Sequence, residues 1–561
     1  MSEAFTRRRF LREGSAAALG LALFPPWRIE ATPTFDLVLK GGTLLDGTGG
    51  PAWPADLGIV GDTIAAVGAI APEQSRRVLD ISGLHVAPGF IDIHSHSDGG
   101  ILAYPGAESR VLQGVTTEVT GNCGFSAAPL VGFDVETRRR TWREEEGVEA
   151  DWSDVASYFD RLEKAGIALN QILLLGQGTL RENAIGPVNR PLSPDEMKGV
   201  LHAVEEGLDQ GAFGLSTGLE YVPGSYTPTE EIVETTSLVA RRGGLYASHI
   251  RNEGARLLEA INEAIEIGRR TSVRVQISHL KASGRSHWDA QAAALDLIEA
   301  ARAAGVGVLA DAYPYTAYST GLSIFLPAWV REGGAEALVA RLRDPELRPR
   351  IRQETMAEVL ADPGNFELIV ISSVLRPGNR AVVGKNLVEI AEDWKLEPID
   401  ALLRLLEEER ASVGFIGHGM SAENVEMVLA HPLVMIGSDG VSMAPVGKAA
   451  EARPHPRSYG AFARVLSHYV RERRLFGLPT AVKKMTSMPA DQIGLRDRGR
   501  LARGQKADLL VFEADVVADR ASFAAPHQYP AGIVHVLVNG VAVVERGAHT
   551  GARPGRVLRK A

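Results

Sequence analysis

The chain has 561 residues, 45% hydrophobic and 23% charged, with 60 basic against 69 acidic side chains and a formal net charge of −9. That length exceeds one ordinary hydrophobic core, so a large domain with something appended is expected. The charges are spread along the chain with no basic block, which excludes nucleic acid as a partner, because phosphate binding needs a clustered positive face.

The N-terminus reads Thr6, Arg7, Arg8, Arg9, Phe10, Leu11 and runs into a short apolar segment rich in Ala and Gly. This pattern resembles a twin-arginine export signal, and the segment is too short to span a bilayer. Residues 1–34 are therefore expected to be a signal region read by the twin-arginine export machinery. That implies a periplasmic or secreted protein with no stable membrane span. The single cysteine, Cys123, leaves no internal disulfide, so its thiol is structural, reactive or a ligand.

From Phe35 short alternating runs bounded by Gly, Asp and Pro follow one another ("FDLVLKGGTLLDG", "ADLGIVGDTIAAVG"), and the far end repeats the style in "GIVHVLVNGVAVVERG". Neither end alone buries both faces of a sheet. Residues 35–86 and 490–561 are expected to build one small β-sandwich from both termini.

Residues 87–489 alternate differently. Eight apolar runs recur, "GFIDIHSH", "VTTEVTGNCG", "NQILLLGQG", "AFGLSTGLEY", "GLYASHI", "VRVQISHLK", "GVLADAYPY" and "LVMIGSDG", most of them separated by amphipathic helical stretches. Such alternation predicts an α/β fold, a (β/α)8 TIM-type barrel. About 110 extra residues between the seventh and eighth runs are too long for a βα connection and predict an inserted subdomain at about 321–410.

Metal-type side chains fall at the ends of these runs. His94 and His96 close the first, Cys123 the second, His249 the fifth, His279 the sixth and Asp439 the eighth. Catalytic groups of such barrels gather at the C-terminal rim of the strands. The i, i+2 spacing of His94 and His96 points both imidazoles to one face of an extended chain, the geometry of two ligands on one ion. A free cysteine is most often a small buried hydrophobe. Here the flanking glycines leave the thiol little packing, and a thiolate ligates zinc well and can bridge two ions. Asp439 has two open roles, metal ligand and general base; an N-capping role is the bland alternative for an S-D-G turn.

Together with "PGFIDIHSHSD", "GVTTEVTGNCGFSAAP", "SHIRNE", "ISHLKASG", "YPYTA", "RPHPRSYGAFARVL" and the tail "HTGARPGRVL", these residues resemble the amidohydrolase superfamily and, within it, the D-aminoacylase (N-acyl-D-amino-acid deacylase) family. The resemblance implies zinc-dependent hydrolysis of the amide of small-molecule N-acyl-D-amino acids. It implies one tightly bound zinc at Cys123, His249 and His279, and a second, weaker site at His94, His96 and Asp439 bridged by Cys123. Asp439 would be the general base. Many related enzymes bridge their metals with a carboxylated lysine on the fourth strand, but "AFGLSTGLEY" contains no lysine. Lys281 and Arg457 match positions used for the substrate carboxylate, which suits a guanidinium fork, and Tyr221 and Ser319 match further substrate contacts. The alternatives are hydrolysis of another amide (a D-dipeptide, an N-acyl-D-Glu or D-Asp, a cyclic imide) or a non-catalytic periplasmic binding protein.

Overall fold

The protein is described by a computed structural model covering residues 34–560; apart from Thr34, the expected export signal lies outside these residues. Eight parallel segments form the barrel: Phe90–Asp92, Val115–Thr120, Asn170–Leu173 continued by Leu175–Gly176, Gly214–Gly218, Leu245–His249, Arg274–Ile277, Val308–Ala312 and Val434–Ile436. They coincide with the eight runs expected from the sequence. A parallel bridge between Ser95 and Gly440 closes the ring, reinforced by Asp439 N–H donating to His94 O and His96 N–H to Gly440 O, both at 2.8 Å.

The barrel floor is filled by Ile91, Ile93, Val119, Ile172, Leu245 and Met435. Ala490 and Ile493, from the helix Ser487–Ile493, join that cluster from below. Apolar packing at the floor leaves the opposite rim for polar groups.

Both termini build one sheet, as expected, and its hydrogen bonding is continuous across nine strands. The join is edge to edge: His85–Pro88 from the N-terminal part pairs antiparallel with Leu509–Phe512 from the C-terminal part. The sheet encloses its own core of Leu39, Leu57, Ile59, Val86, Leu509 and Leu537. Its C-terminal strands begin at Leu509, later than the expected 490, because residues 487–493 are helical and pack into the barrel floor.

The insert between the seventh and eighth strands has a separate core that includes Leu322, Ile369, Leu402 and Phe415. Its three-stranded antiparallel sheet (Tyr318–Gly321, Val413–Gly417, Ile369–Val374) extends a few residues beyond the expected 321–410 at both ends, since the outer strands pair with each other. Among the described residues no helix is long and apolar enough to cross a membrane.

Candidate metal centre

All six residues marked at the strand ends meet on one rim. His94, His96, Cys123 and Asp439 form one group of donor atoms within 4.8 Å of one another, and Cys123, His249 and His279 form a second, sharing the thiol. Cys123 Sγ lies 3.3 Å from His94 Nε2 and 3.4 Å from His279 Nε2. His249 Nδ1 is 3.0 Å from His279 Nε2. Asp439 Oδ1 is 2.9 Å from His96 Nε2 and 3.5 Å from His94 Nε2. The first strand already ends at Asp92, yet the two histidines still converge because the Ser95–Gly440 bridge holds the chain extended between them.

The local backbone is specialised to achieve this. Cys123, His279 and Asp439 all have left-handed φ, at 51°, 34° and 53°, a conformation uncommon for residues other than glycine. The glycines around Cys123 are there for space. A Cβ on Gly124 would sit 2.5 Å from Gly218 N, and one on Gly121 would collide with Leu174 O. The second strand end is thereby pressed against the third and fourth.

Behind the inner donors stand carboxylates that sequence reading missed. Asp311 lies 3.2 Å from His94 Nδ1, Glu253 lies 2.9 Å from His279 Nδ1, and Glu220 lies 3.3 Å from His249 Nε2. Metal-ligating imidazoles usually give their second nitrogen to such a partner, which fixes the ring and raises its basicity. Asp311 also accepts from His279 N–H at 2.9 Å and Gln276 Nε2 at 2.5 Å. Nothing in "ADAY", "GLEY" or "RNEG" distinguishes these acids from surface ones until the barrel brings them behind the histidines.

Electrostatics agree with a cation site. Burial pushes the Cys123 thiol up, but the charges of His94, His279 and His96 outweigh it and hold it well below its usual range. Burial lowers His249, yet Glu253, Glu220 and Cys123 lift it to about 10, and His96 rises to about 9 against burial through Cys123 and Asp439. One thiolate and several carboxylates facing four imidazoles make a cluster whose protons a divalent ion would replace. Two donor sets sharing one sulfur, one of N and S atoms and one of N, S and O atoms, each imidazole with a ring nitrogen toward the centre, fit zinc.

The remaining expected residues line or flank the site. Arg457 Nη1 donates to Asp439 Oδ2 at 2.6 Å and Nη2 to Ser319 O at 3.1 Å. Lys281 is buried and donates to Glu253 Oε1 at 2.6 Å, so its charge is largely committed to Glu253. Tyr221 packs its ring 4.6 Å from that of His249 and accepts from Thr320 Oγ1 at 3.2 Å. Ser319 differs from expectation in its contact: the hydroxyl is turned away to Phe415 O at 2.8 Å, and the backbone carbonyl is what meets Arg457. Tyr313, which the sequence reading passed over, lies between the two cations, with Arg457 5.0 Å and Lys281 5.9 Å from its ring centre. A cavity of about 530 Å³ opens over the rim, lined by Tyr221, His249, Lys281, Phe325, Arg331 and Asp439 among others.

The amidohydrolase family matches residues 77–544. An N-acyl-D-glutamate deacylase of Alcaligenes xylosoxydans xylosoxydans is 38% identical, over 94% of this chain and 96% of the relative. A D-aminoacylase of the same organism is 37% identical, over 93% and 97%. The crystal structure of an N-acyl-D-glutamate deacylase from Bordetella bronchiseptica, complexed with zinc and a phosphonate mimic of the tetrahedral intermediate, superposes with a TM-score of 0.80 at 34% identity, over 94% of this chain and 100% of that one.

Proposed function

The chain belongs to the amidohydrolase family, on its D-aminoacylase branch, and on that premise we propose that it hydrolyses N-acyl-D-amino acids to a carboxylate and a free D-amino acid. The observation that carries this reading is the Asp439–Arg457 pair standing on the same rim as the shared-thiol donor cluster. The assignment of D substrates is supported by the relatives, two of which are an N-acyl-D-glutamate deacylase and a D-aminoacylase.

Cys123, His249 and His279 would hold the tighter zinc, and His94, His96 and Asp439 the weaker one. Zinc, when bound, supplies Lewis acidity to the acyl carbonyl and to water. Asp439 supplies the base. Burial pushes its carboxyl up, but Arg457, His279, His96 and His94 hold it well below the usual carboxylate range, so it is ionised and ready to accept a proton. It takes a proton from the water that attacks the acyl carbon, forming the new C–O bond. It then returns that proton to the amide nitrogen as the C–N bond breaks and the amine leaves. Arg457, planar and fully charged, keeps N–H groups for the free α-carboxylate of the substrate, and Tyr313 holds that guanidinium in place.

A second reading concerns the side chain of the amino acid. Arg331 reaches into the cavity from the insert with Glu220 O as its acceptor at 3.1 Å and a buried Nε without a partner. No carboxylate pairs with it among the described residues, which favours substrates bearing a second carboxylate, such as N-acyl-D-Glu or N-acyl-D-Asp. Export of the folded chain through the twin-arginine machinery to the periplasm belongs to the same proposal and is supported by Arg7, Arg8 and Arg9 before Phe10 and Leu11.

The test is a panel on zinc-loaded protein: N-acetyl-D-methionine, its L-isomer, N-acetyl-D-glutamate and a cyclic imide, with zinc measured by elemental analysis. Turnover of either D compound over the L-isomer and the imide is expected. A preference for the imide, or no turnover by zinc-loaded protein, would overturn the reading.

A further inference from the structure

Beneath the rim, between the first, second and eighth strands, lies a charge network with no contact to the cavity. Arg110, on the short helix Glu108–Val111 leading into the second strand, is fully buried, as are Asp92 and Glu118. Its guanidinium pairs with Asp92 Oδ2, donates from Nε to Glu118 Oε1 at 2.6 Å and from Nη2 to Ser438 Oγ at 2.6 Å, and reaches Ser458 O from Nη1 at 3.4 Å. Ser438 immediately precedes Asp439, and Ser458 immediately follows Arg457.

The acids extend the grip. Asp92 Oδ1 accepts from Ser438 N–H at 2.9 Å and from His94 N–H at 3.3 Å, while Asp92 Oδ2 accepts from Ser438 Oγ–H at 2.6 Å. Glu118 accepts from Ser95 Oγ at 3.1 Å and Ser97 Oγ at 3.0 Å, the residues flanking His96, and from Ser442 Oγ at 3.1 Å. A solvated alternative is absent, so each member of the network depends on the others.

We propose that Arg110 is a positioning residue for the reaction: acting through Ser438, it sets where Asp439 stands relative to His94 and His96. Asp439 needs such support, because its left-handed φ of 53° is retained only if the flanking backbone is held. Arg110 meets Asp439's neighbour by two routes, directly and through Asp92, but meets Arg457's neighbour only by the single long contact. Its loss should therefore act on turnover more than on substrate binding.

The activity part of the test rests on the function proposed above. In Arg110→Lys one ammonium cannot reach Glu118, Ser438 and Asp92 together. Ser438→Ala removes the link without removing a buried charge, should Arg110→Lys fold poorly. Arg498→Lys, in the buried Arg498–Asp508 pair of the terminal sheet, is the control for a merely structural loss. Kinetics on zinc-loaded protein should show kcat down at least tenfold with KM within threefold for Arg110→Lys and Ser438→Ala, and kcat unchanged for Arg498→Lys. Hydrogen exchange of the segment 434–443 should be faster in the first two variants and unchanged in the third. Wild-type kcat and wild-type exchange in both Arg110→Lys and Ser438→Ala would overturn the proposal. Should the wild type turn over no N-acyl-D-amino acid, the functional reading fails, and exchange alone decides the positioning role.

Discussion

Arg457 holds Asp439 by one oxygen only: its Nη1 lies 2.6 Å from Oδ2. The other oxygen, Oδ1, faces His96 at 2.9 Å and is the one placed to exchange protons. Replacing the carboxylate by an amide keeps the shape and removes the base. Asp439→Asn is expected to lower kcat by roughly 10²–10⁴-fold, the usual worth of a positioned general base. Zinc at Cys123, His249 and His279 should remain, as elemental analysis would show. Near-normal turnover would remove Asp439 from the mechanism.

Arg457 serves two partners, so its substitution should separate them. Arg457→Lys keeps one charge but loses the fork. The expected result is a kcat/KM about tenfold to a hundredfold lower for a substrate with a free α-carboxylate, and a much smaller change for the corresponding α-carboxamide. Equal losses on both substrates would show that Arg457 acts only through Asp439.

Glu253 stands behind His279 and also neutralises Lys281. It is held at about 2, since burial is outweighed by the charges of Lys281, His279 and His249. Glu253→Gln should weaken zinc binding about tenfold to a hundredfold, the range typical of lost partners behind a ligand. A competition titration with a zinc chelator measures this. Unchanged affinity would mean that Glu253 serves Lys281 alone.

Asp362, on the insert, faces the same cavity and donates nothing as a carboxylate; it accepts from Ser283 Oγ at 2.5 Å. Burial, with the nearby charges of Glu220 and Glu253, raises it from 3.8 to about 6. The folded protein therefore binds more protons at this group than the unfolded chain does between those values. Its contribution to stability is present at the acid end and is lost as pH rises through that window. Denaturant unfolding at pH 4 and pH 7 should show the wild type losing more stability than Asp362→Asn over that interval. An identical loss in both proteins would contradict the assignment.

Much of this architecture was readable in advance, and for a physical reason. Strand-end residues such as His94, His249 and His279 interrupt apolar runs, so the same letters mark a strand and its chemistry. The terminal sheet was visible in its alternation, although the helix Ser487–Ile493 was hidden because its apolar residues serve the barrel floor. Asp311, Glu220 and Glu253 were invisible, as was Arg110. A lone acid or arginine in a chain with 129 charged residues (60 basic plus 69 acidic) carries no signal until folding buries it beside a partner. Ser319 shows the converse limit. Its position beside the site was legible, but the direction of its hydroxyl depends on the insert strand that brings the Phe415 carbonyl within its reach.

On the proposed reading, Cys123 is the donor shared by both sets and anchors the tighter zinc. Zinc content and turnover of an N-acyl-D-amino acid, measured together on the wild type and Cys123→Ala, test it most directly. The wild type is expected to hold zinc and turn the substrate over, whereas the variant should lose its tight zinc and at least a hundredfold in kcat/KM. A Cys123→Ala protein with full zinc and full activity would contradict it.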